Sequence, residues 1–412
     1  MTWIYNVFIK LYVSAIRIAS VRNKKAAEWV KGREGLFEEL KHLVSTGDKT
    51  IWFHCASAGE LEQGKPLIEA LKLEYPNHKM VISFFSPSGF QAGKKYLYAD
   101  VVTYLPADTK ANAKRFVDIV HPELVVFVKY EFWFHHLSAL AFHHVPVILV
   151  SSIFRRNQVF FKWYGKFYRQ ILFLFRQLFV QDEASFQLLK EHQIQHATVS
   201  GDTRFDRVVK IAGQQEPLES IDRFAGRKKI IVAGSTWPDD EKLLAQYLHP
   251  GVKIIMAPHE INSSHLDFIK SIFTGAVLYS DLHNEGSENA EVLIIDNVGM
   301  LSRLYSSATI TYIGGGFNKS GIHNTLEAAV YGKPVLFGPN YRKFREAREL
   351  ITAGGASSIS NAAELKTKMD QLLTDPGYLF KCGRASKEYV MKNTGATQTV
   401  MNYIQAKRLL TR

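Results

Sequence analysis

The 412-residue chain is poor in cysteine: it has two, Cys55 and Cys382, far apart and neither in a CxxC pair. That excludes a disulfide framework and a cysteine–zinc site, and it fits a reducing compartment. No low-complexity segment occurs, and no DxD-like acidic pair stands out at a strand end, so no metal is expected. The longest apolar run, Trp3 to Val21, is interrupted by Lys10 and Arg17. Two charges near its middle argue against a membrane span. Basic residues that interrupt and follow the run, instead of preceding it, argue against a signal peptide. Acid is also scarce. Lys and Arg number 51 against 39 Asp and Glu, a formal net charge of +12, and from Phe132 to Gln181 there is no acidic residue. Such a balance calls for an acidic partner: nucleic acid, anionic lipid or a phosphorylated substrate.

What is present begins with that N-terminal run. At 100° per residue Asn6, Lys10, Ser14, Arg17 and Lys24 fall in one narrow wedge, while Trp3, Ile4, Val7, Phe8, Leu11, Ala15 and Ile18 lie away from it. Two readings fit this amphipathic helix: docking in a membrane interface, or packing on its own domain. Within the acid-free stretch, Arg155, Arg156, Lys162, Lys166, Arg169 and Arg176 alternate with Phe154, Phe160, Phe161, Trp163, Tyr164, Phe167 and Tyr168. Basic heads on aromatic bodies suit an anionic amphiphile or membrane surface, and also single-stranded nucleic acid. The bland alternative is a buried helix with a solvated basic face.

A hydrophobic fraction of 46% supports proper cores, and the length suggests two domains. Short apolar β-branched runs alternate with helical patterns: Ile51–Phe53, Met80–Phe85, Val101–Leu105, Leu124–Val128, Pro146–Val150 and Phe179–Gln181 in the first half. Lys229–Ala233, Val252–Ala257, Val292–Ile295, Ala308–Ile313 and Val335–Phe337 follow in the second. This is the pattern of two doubly wound parallel sheets, each binding ligands beyond the carboxyl ends of its strands. Glu60 and Glu131 each follow such an end. Residues 212–228 are polar, contain Pro217 and Gly226, and read as a linker. The expected division is an amphipathic helix at 1–30, a first α/β domain at 31–211, the linker, and a second α/β domain at 229–412. The last helix is free to pack back on the first domain.

The second half centres on Gly314-Gly315-Gly316, which lies between the Ala308–Ile313 strand and a helix expected from Asn324. Glycines let a backbone pass close to a ligand, and a helix start offers free N–H groups to a phosphate. Asn324 and Glu327 share a face, where a carboxylate could accept from ribose hydroxyls. The alternative is an ordinary βαβ turn with Asn324 and Glu327 as a capping box.

Five segments, in this order, carry a family resemblance: Lys31-Gly32-Arg33-Glu34-Gly35-Leu36, Trp52 to Glu60, Glu131-Phe132-Trp133, Ser200-Gly201-Asp202-Thr203-Arg204-Phe205-Asp206, and Gly321-Ile322-His323-Asn324-Thr325-Leu326-Glu327. Over essentially its whole length the chain resembles the transferases that move 3-deoxy-D-manno-octulosonic acid (Kdo) from CMP-Kdo to a lipid A precursor, lipid IVA, in lipopolysaccharide synthesis. The resemblance implies a GT-B fold, two Rossmann-like domains facing across a cleft, and an inverting transfer without a metal or other cofactor. It implies Glu60 as general base and Glu131 and Arg204 as transition-state aids. Pro258, His259, Val298, Gly299, Met300, Asn324, Thr325, Leu326 and Glu327 would hold CMP. It also implies the cytoplasmic face of the inner membrane, with the anionic membrane surface as a partner and no nucleic acid. Three positions depart from the family pattern. His259 stands where Arg is usual, Lys129 where a second acid is often found, and Arg204 where Lys is usual.

The chemistry is coherent on its own terms. The acceptor hydroxyl needs a base, which a carboxylate past a strand end can supply, and the transition state is oxocarbenium-like. The rival readings are a GT-B transferase using a UDP-sugar, a UDP-sugar 2-epimerase of the same architecture, and a non-catalytic basic protein on membranes or RNA.

Overall fold

A computed structural model describes residues 2–214, 218–283 and 286–411. The chain divides into two compact units, the first formed by Met1–Arg207 together with Thr394–Arg412, the second by Val208–Asn393.

The first unit holds strands β1 (Lys49–Cys55), β2 (His78–Phe84), β3 (Val101–Tyr104), β4 (Pro122–Val128), β5 (Val147–Ser152), β6 (Gln177–Val180) and β7 (Ala197–Val199). Their spatial order is β3-β2-β1-β4-β5-β6-β7, all parallel. Val125 to Val128 and Ile51 to Phe53 are wholly buried, as strands covered on both faces must be. One face carries Trp52, Phe116, Phe127 and Leu149. The other carries Phe53, Leu67, Leu71 and Met80 and is completed by Val400, Met401 and Ile404 of the helix Ala396–Ala406. That returning helix is held at its start by Asp206, whose carboxylate accepts from the backbone N–H groups of Gly395 and Thr397, both at 2.6 Å.

The N-terminal helix, Thr2–Ala19, is part of this unit. Tyr5 and Ile9 are buried in the core, and the Tyr5 hydroxyl donates to Asp108 at 2.5 Å. Asp108 is itself buried and also accepts from the His135 and His136 N–H groups and from His136 Nδ1. The opposite face, Trp3, Ile4, Phe8, Leu11 and Ile18, is solvent-exposed. The helix therefore packs on its own domain through one face and leaves an apolar face to solvent. Among the described residues no helix is long and apolar enough to cross a membrane. The aromatic–basic stretch is also divided. Phe154, Phe160 and Phe167 are core residues, whereas Trp163 is 91% exposed and Tyr164 and Tyr168 are exposed.

The second unit holds β8 (Lys229–Thr236), β9 (Val252–Pro258), β10 (Val277–Leu278), β11 (Val292–Ile294), β12 (Ile310–Ile313), β13 (Val335–Phe337) and β14 (Ala356–Ser358), in the order β10-β11-β9-β8-β12-β13-β14, again parallel. Residues 212–228, read from their polarity as a linker, carry instead the end of the helix Thr203–Gly213 and a helix Glu219–Ala225. Ile221 and Phe224 of the latter are buried, which gives that short polar segment a packed face. Residues 215–217, including Pro217, lie outside the described residues.

Candidate active site

In the first sheet the strand order reverses between β1 and β4, and a doubly wound sheet opens a crevice at such a point. Glu60 and Glu131 flank it. Glu60 lies in the first turn of the helix Ala58–Glu74, which starts directly after β1, and its carboxylate accepts from the hydroxyl of Ser57, the N-cap residue. Glu131 follows β4 after Lys129, whose left-handed φ of 66° turns the chain out of the strand. Both carboxylates act on the buried thiol of Cys55, which burial and then the two acids push well above the usual thiol range. The neighbouring Tyr130 phenol is raised chiefly by burial, with Asp182, Asp202 and Glu60 adding to the rise and Arg155 opposing it.

Arg204 begins the helix after β7, and its guanidinium is engaged by the buried carboxylate of Asp202 through Nε at 2.9 Å and Nη2 at 2.8 Å. Of the motif residues, Arg33 is a structural pin. It donates to the carbonyls of Leu105, Trp29 and Phe85 and lies 3.7 Å above the Trp29 ring. Burial pulls its pKa down to about 9, which still leaves it charged at neutral pH.

Four buried or half-buried side chains were given no role in the sequence reading. Glu131 Oε2 accepts from Trp133 Nε1 at 2.5 Å and from His54 Nε2 at 2.8 Å. His54 Nδ1 meets Ser83 Oγ at 2.8 Å, and Trp52 Nε1 donates to that same oxygen at 2.7 Å. His54 and Trp52 stood inside a quoted motif, but alternation of polar and apolar residues gives no signal for a histidine inside a fully buried strand.

In the second sheet the order reverses between β8 and β12. The glycine loop follows β12 there, and its glycines are required by the packing of neighbouring loops. A Cβ on Gly314 would lie 2.3 Å from the Ser235 carbonyl oxygen, and one on Gly316 would lie 2.4 Å from Gly338. The close approach is to neighbouring loops of the same sheet. Gly315 has φ +86° and donates its N–H to Asp240 at 2.8 Å, while the Gly314 N–H goes to the Gly234 carbonyl. Asp240 also accepts from Tyr312 Oη at 2.9 Å and from the Trp237 N–H at 3.0 Å. Burial outweighs those bonds and raises its pKa to about 6.

The helix expected from Asn324 begins at Leu326 and is one turn long, Leu326–Ala329. One turn aligns few peptide dipoles, so it offers a phosphate far less than a long helix would. Asn324 instead braces the turn: its Oδ1 accepts from the Leu326 N–H and its Nδ2 donates to Glu327 Oε1 at 2.9 Å. Thr325 and Leu326 are fully buried, backbone included. Val298, Gly299 and Met300 lead into the helix Leu301–Ser307, which packs on that turn, and Val298 is exposed. Burial and then Glu327 raise the Tyr305 phenol in this helix. Pro258 is buried at the end of β9, and His259 after it is exposed yet clamped. It stacks on Trp237 at 4.8 Å and on His323 at 4.4 Å, and Trp237 Nε1 donates to His323 Nε2 at 3.1 Å. Burial and the neighbouring His259 lower the His323 pKa to about 4, so it is neutral at pH 7. Among the described residues no group of three His, Cys, Asp or Glu side chains is placed to hold a metal ion.

The family pattern described as 3-deoxy-D-manno-octulosonic-acid transferase (kdotransferase) matches residues 29–207, the segment that carries Glu60, Glu131 and Arg204. Residues 29–207 thus carry the Kdo transferase family's domain. The chain is 27% identical over 93% of its length to the Kdo transferase of Rickettsia felis, covering 84% of that protein. To the Kdo transferase of Haemophilus influenzae it is 25% identical over 96% of its length, covering 95% of that protein. The enzyme is therefore a glycosyltransferase. Its two Rossmann-like domains are shared with solved structures of low identity. One is a putative UDP-N-acetylglucosamine 2-epimerase from Listeria monocytogenes (15% identity, TM-score 0.61, 89% of this chain and 98% of that one). Another is a glycosyltransferase from Rickettsia africae (13% identity, TM-score 0.53, 89% and 100%). These likenesses show the GT-B type of fold alone.

Proposed function

We propose that this protein transfers Kdo from CMP-Kdo to a hydroxyl of a lipid A precursor, lipid IVA, in lipopolysaccharide synthesis. Glu60 takes the proton of the attacking hydroxyl. That hydroxyl bonds to the anomeric carbon as the bond to the CMP phosphate breaks, and the configuration inverts. Glu131 and Arg204 stabilise the oxocarbenium-like transition state and the charge that leaves it. The segments 258–259, 298–300 and 324–327 hold the nucleotide. No metal or other cofactor takes part.

The observation that carries this reading is the pair of half-buried carboxylates, Glu60 and Glu131, at the carboxyl ends of adjacent strands β1 and β4 where the sheet reverses. Names of relatives that align over most of the chain support the sugar transferred and the reaction class. The exposed apolar face of the helix Thr2–Ala19 supports a peripheral seat on the cytoplasmic face of the inner membrane, apolar side chains in the headgroup layer. Incubating the protein with CMP-Kdo and lipid A precursor tests it: CMP is expected to be released only when both are present. Release of UDP from a UDP-sugar instead, or epimerisation of one, would refute it.

A further inference from the structure

We infer that His54 is a positioning residue that aims the Glu131 carboxylate, with its own tautomer set by Ser83 and Trp52. This rests on the reading of Glu131 given above and adds to it how the group is held. Trp133 and His54 both donate to one oxygen, Oε2, at 2.5 and 2.8 Å. Two donors on one oxygen fix the plane of a carboxylate and leave Oε1, which accepts no hydrogen bond from the described residues, facing the reaction.

Trp133 Nε1 also lies 3.2 Å from His54 Nε2, but its single proton is closer to Glu131 Oε2 at 2.5 Å, so the His54 tautomer is decided on its other side. Trp52 Nε1 can only donate, and at 2.7 Å it occupies a lone pair of Ser83 Oγ. The Ser83 hydroxyl must then spend its own proton elsewhere. The Phe53 carbonyl is 3.5 Å away, whereas His54 Nδ1 is at 2.8 Å. With Nδ1 accepting, the imidazole proton sits on Nε2 and points at Glu131. The relay runs Trp52 to Ser83 to His54 to Glu131, each donor used once. All of Trp52, Ser83 and His54 is buried, so water does not compete for these bonds.

The test is CMP release by the full chain with CMP-Kdo and lipid A precursor. His54→Leu should lower kcat roughly 10–100-fold, the usual cost of losing an outer partner of a reactive group, with KM for CMP-Kdo unchanged. His54→Gln, whose amide nitrogen reaches near the Nε2 position, should restore most of that loss. Ser83→Ala removes the hydroxyl and lets Nδ1 donate to the residue-83 carbonyl at 3.2 Å, which turns Nε2 into an acceptor facing a carboxylate. It should lower kcat although the hydroxyl touches neither Glu131 nor substrate. In a Glu131→Gln background His54→Leu should cost little more, because the residue acts through Glu131.

Equal losses for His54→Leu with and without Glu131, or a Gln variant as slow as the Leu variant, overturn the inference alone. Full activity of Glu131→Gln overturns it together with the assignment of Glu131, and no CMP release by the unaltered protein overturns the Kdo reading beneath both. Should His54→Leu fail to fold, unchanged kcat in Ser83→Ala is the overturning result.

Discussion

Asp240 holds the glycine loop, and its replacement separates charge from hydrogen bonding. The carboxylate is 1% exposed and accepts three bonds, from the Gly315 and Trp237 N–H groups on Oδ2 and from Tyr312 Oη on Oδ1. Burial raises its pKa from 3.8 to about 6. Between those values the folded protein keeps the proton and the unfolded chain loses it. Stability therefore falls as pH rises through that window, and above it the folded state carries the cost of a buried charge, at most ~3 kcal/mol for a rise of that size.

Asp240→Asn fits the same site. Its oxygen can take the place of Oδ2 under both N–H groups, and its amide can donate to Tyr312, whose hydroxyl accepts as readily as it donates. This variant should match the parent near pH 4 and exceed it near pH 7 by up to ~3 kcal/mol. Asp240→Ala leaves two buried N–H groups and one hydroxyl unpaired, at ~1–3 kcal/mol each, and should be destabilised at every pH. The measurement is the urea midpoint of the full chain at pH 4, 5, 6 and 7, with CMP affinity alongside. An Asn variant that loses stability at pH 7 and keeps the parent's dependence on pH would refute this account of the loop.

Further outcomes are expected elsewhere. Glu60→Gln should bind CMP-Kdo and acceptor nearly normally and lose kcat by ~10²–10⁴-fold; a variant with most of its turnover would remove Glu60 from the base role. Glu327→Ala should weaken CMP binding roughly ten-fold or more, the worth of a charge-assisted hydrogen bond; lowered thermal stability with CMP affinity intact would make Glu327 only a brace for its turn. Phe8→Asp with Leu11→Asp, both exposed, should move the protein out of the membrane fraction without unfolding it, whereas Ile9→Asp, at 3% exposure, should unfold it. Retention of the double variant in the pellet would count against the interfacial helix as sole anchor.

The α/β order was legible because buried parallel strands are continuous apolar runs. Ile51–Phe53, Leu124–Val128 and Val335–Phe337 each sit inside an observed strand. The edge strands β7, β10 and β14 were not singled out, since Ala197–Val199 and Ala356–Ser358 are not continuous apolar runs and Val277–Leu278 is only two residues long. The glycine loop was found, but not what its glycines pack against. Sequence shows that a backbone must come close to something, and only the fold shows that the something is Ser235 and Gly338. The short helix at Leu326 was overextended because Asn324 to Ala329 satisfies capping and propensity rules that Gly332-Lys333-Pro334 then cuts short. Asp240 gives no sequence signal beyond that of an acid in the first turn of the helix Pro238–Ala245, because its bonds to Gly315 and Tyr312 come from residues about seventy positions away.

The return of residues 394–411 to the first unit has a consequence for how the chain is made. Val400, Met401 and Ile404 finish one face of the first sheet, and Asp206 waits for the Gly395 and Thr397 N–H groups. During synthesis that face stays open while the entire second sheet emerges and closes on itself. The first domain to be translated is thus the last to be completed, and until residue 394 emerges the nascent chain lacks the apolar cover that Val400, Met401 and Ile404 give this face. A ribosome stalled before residue 394 should therefore display a folded second domain behind a first domain that still attracts chaperones.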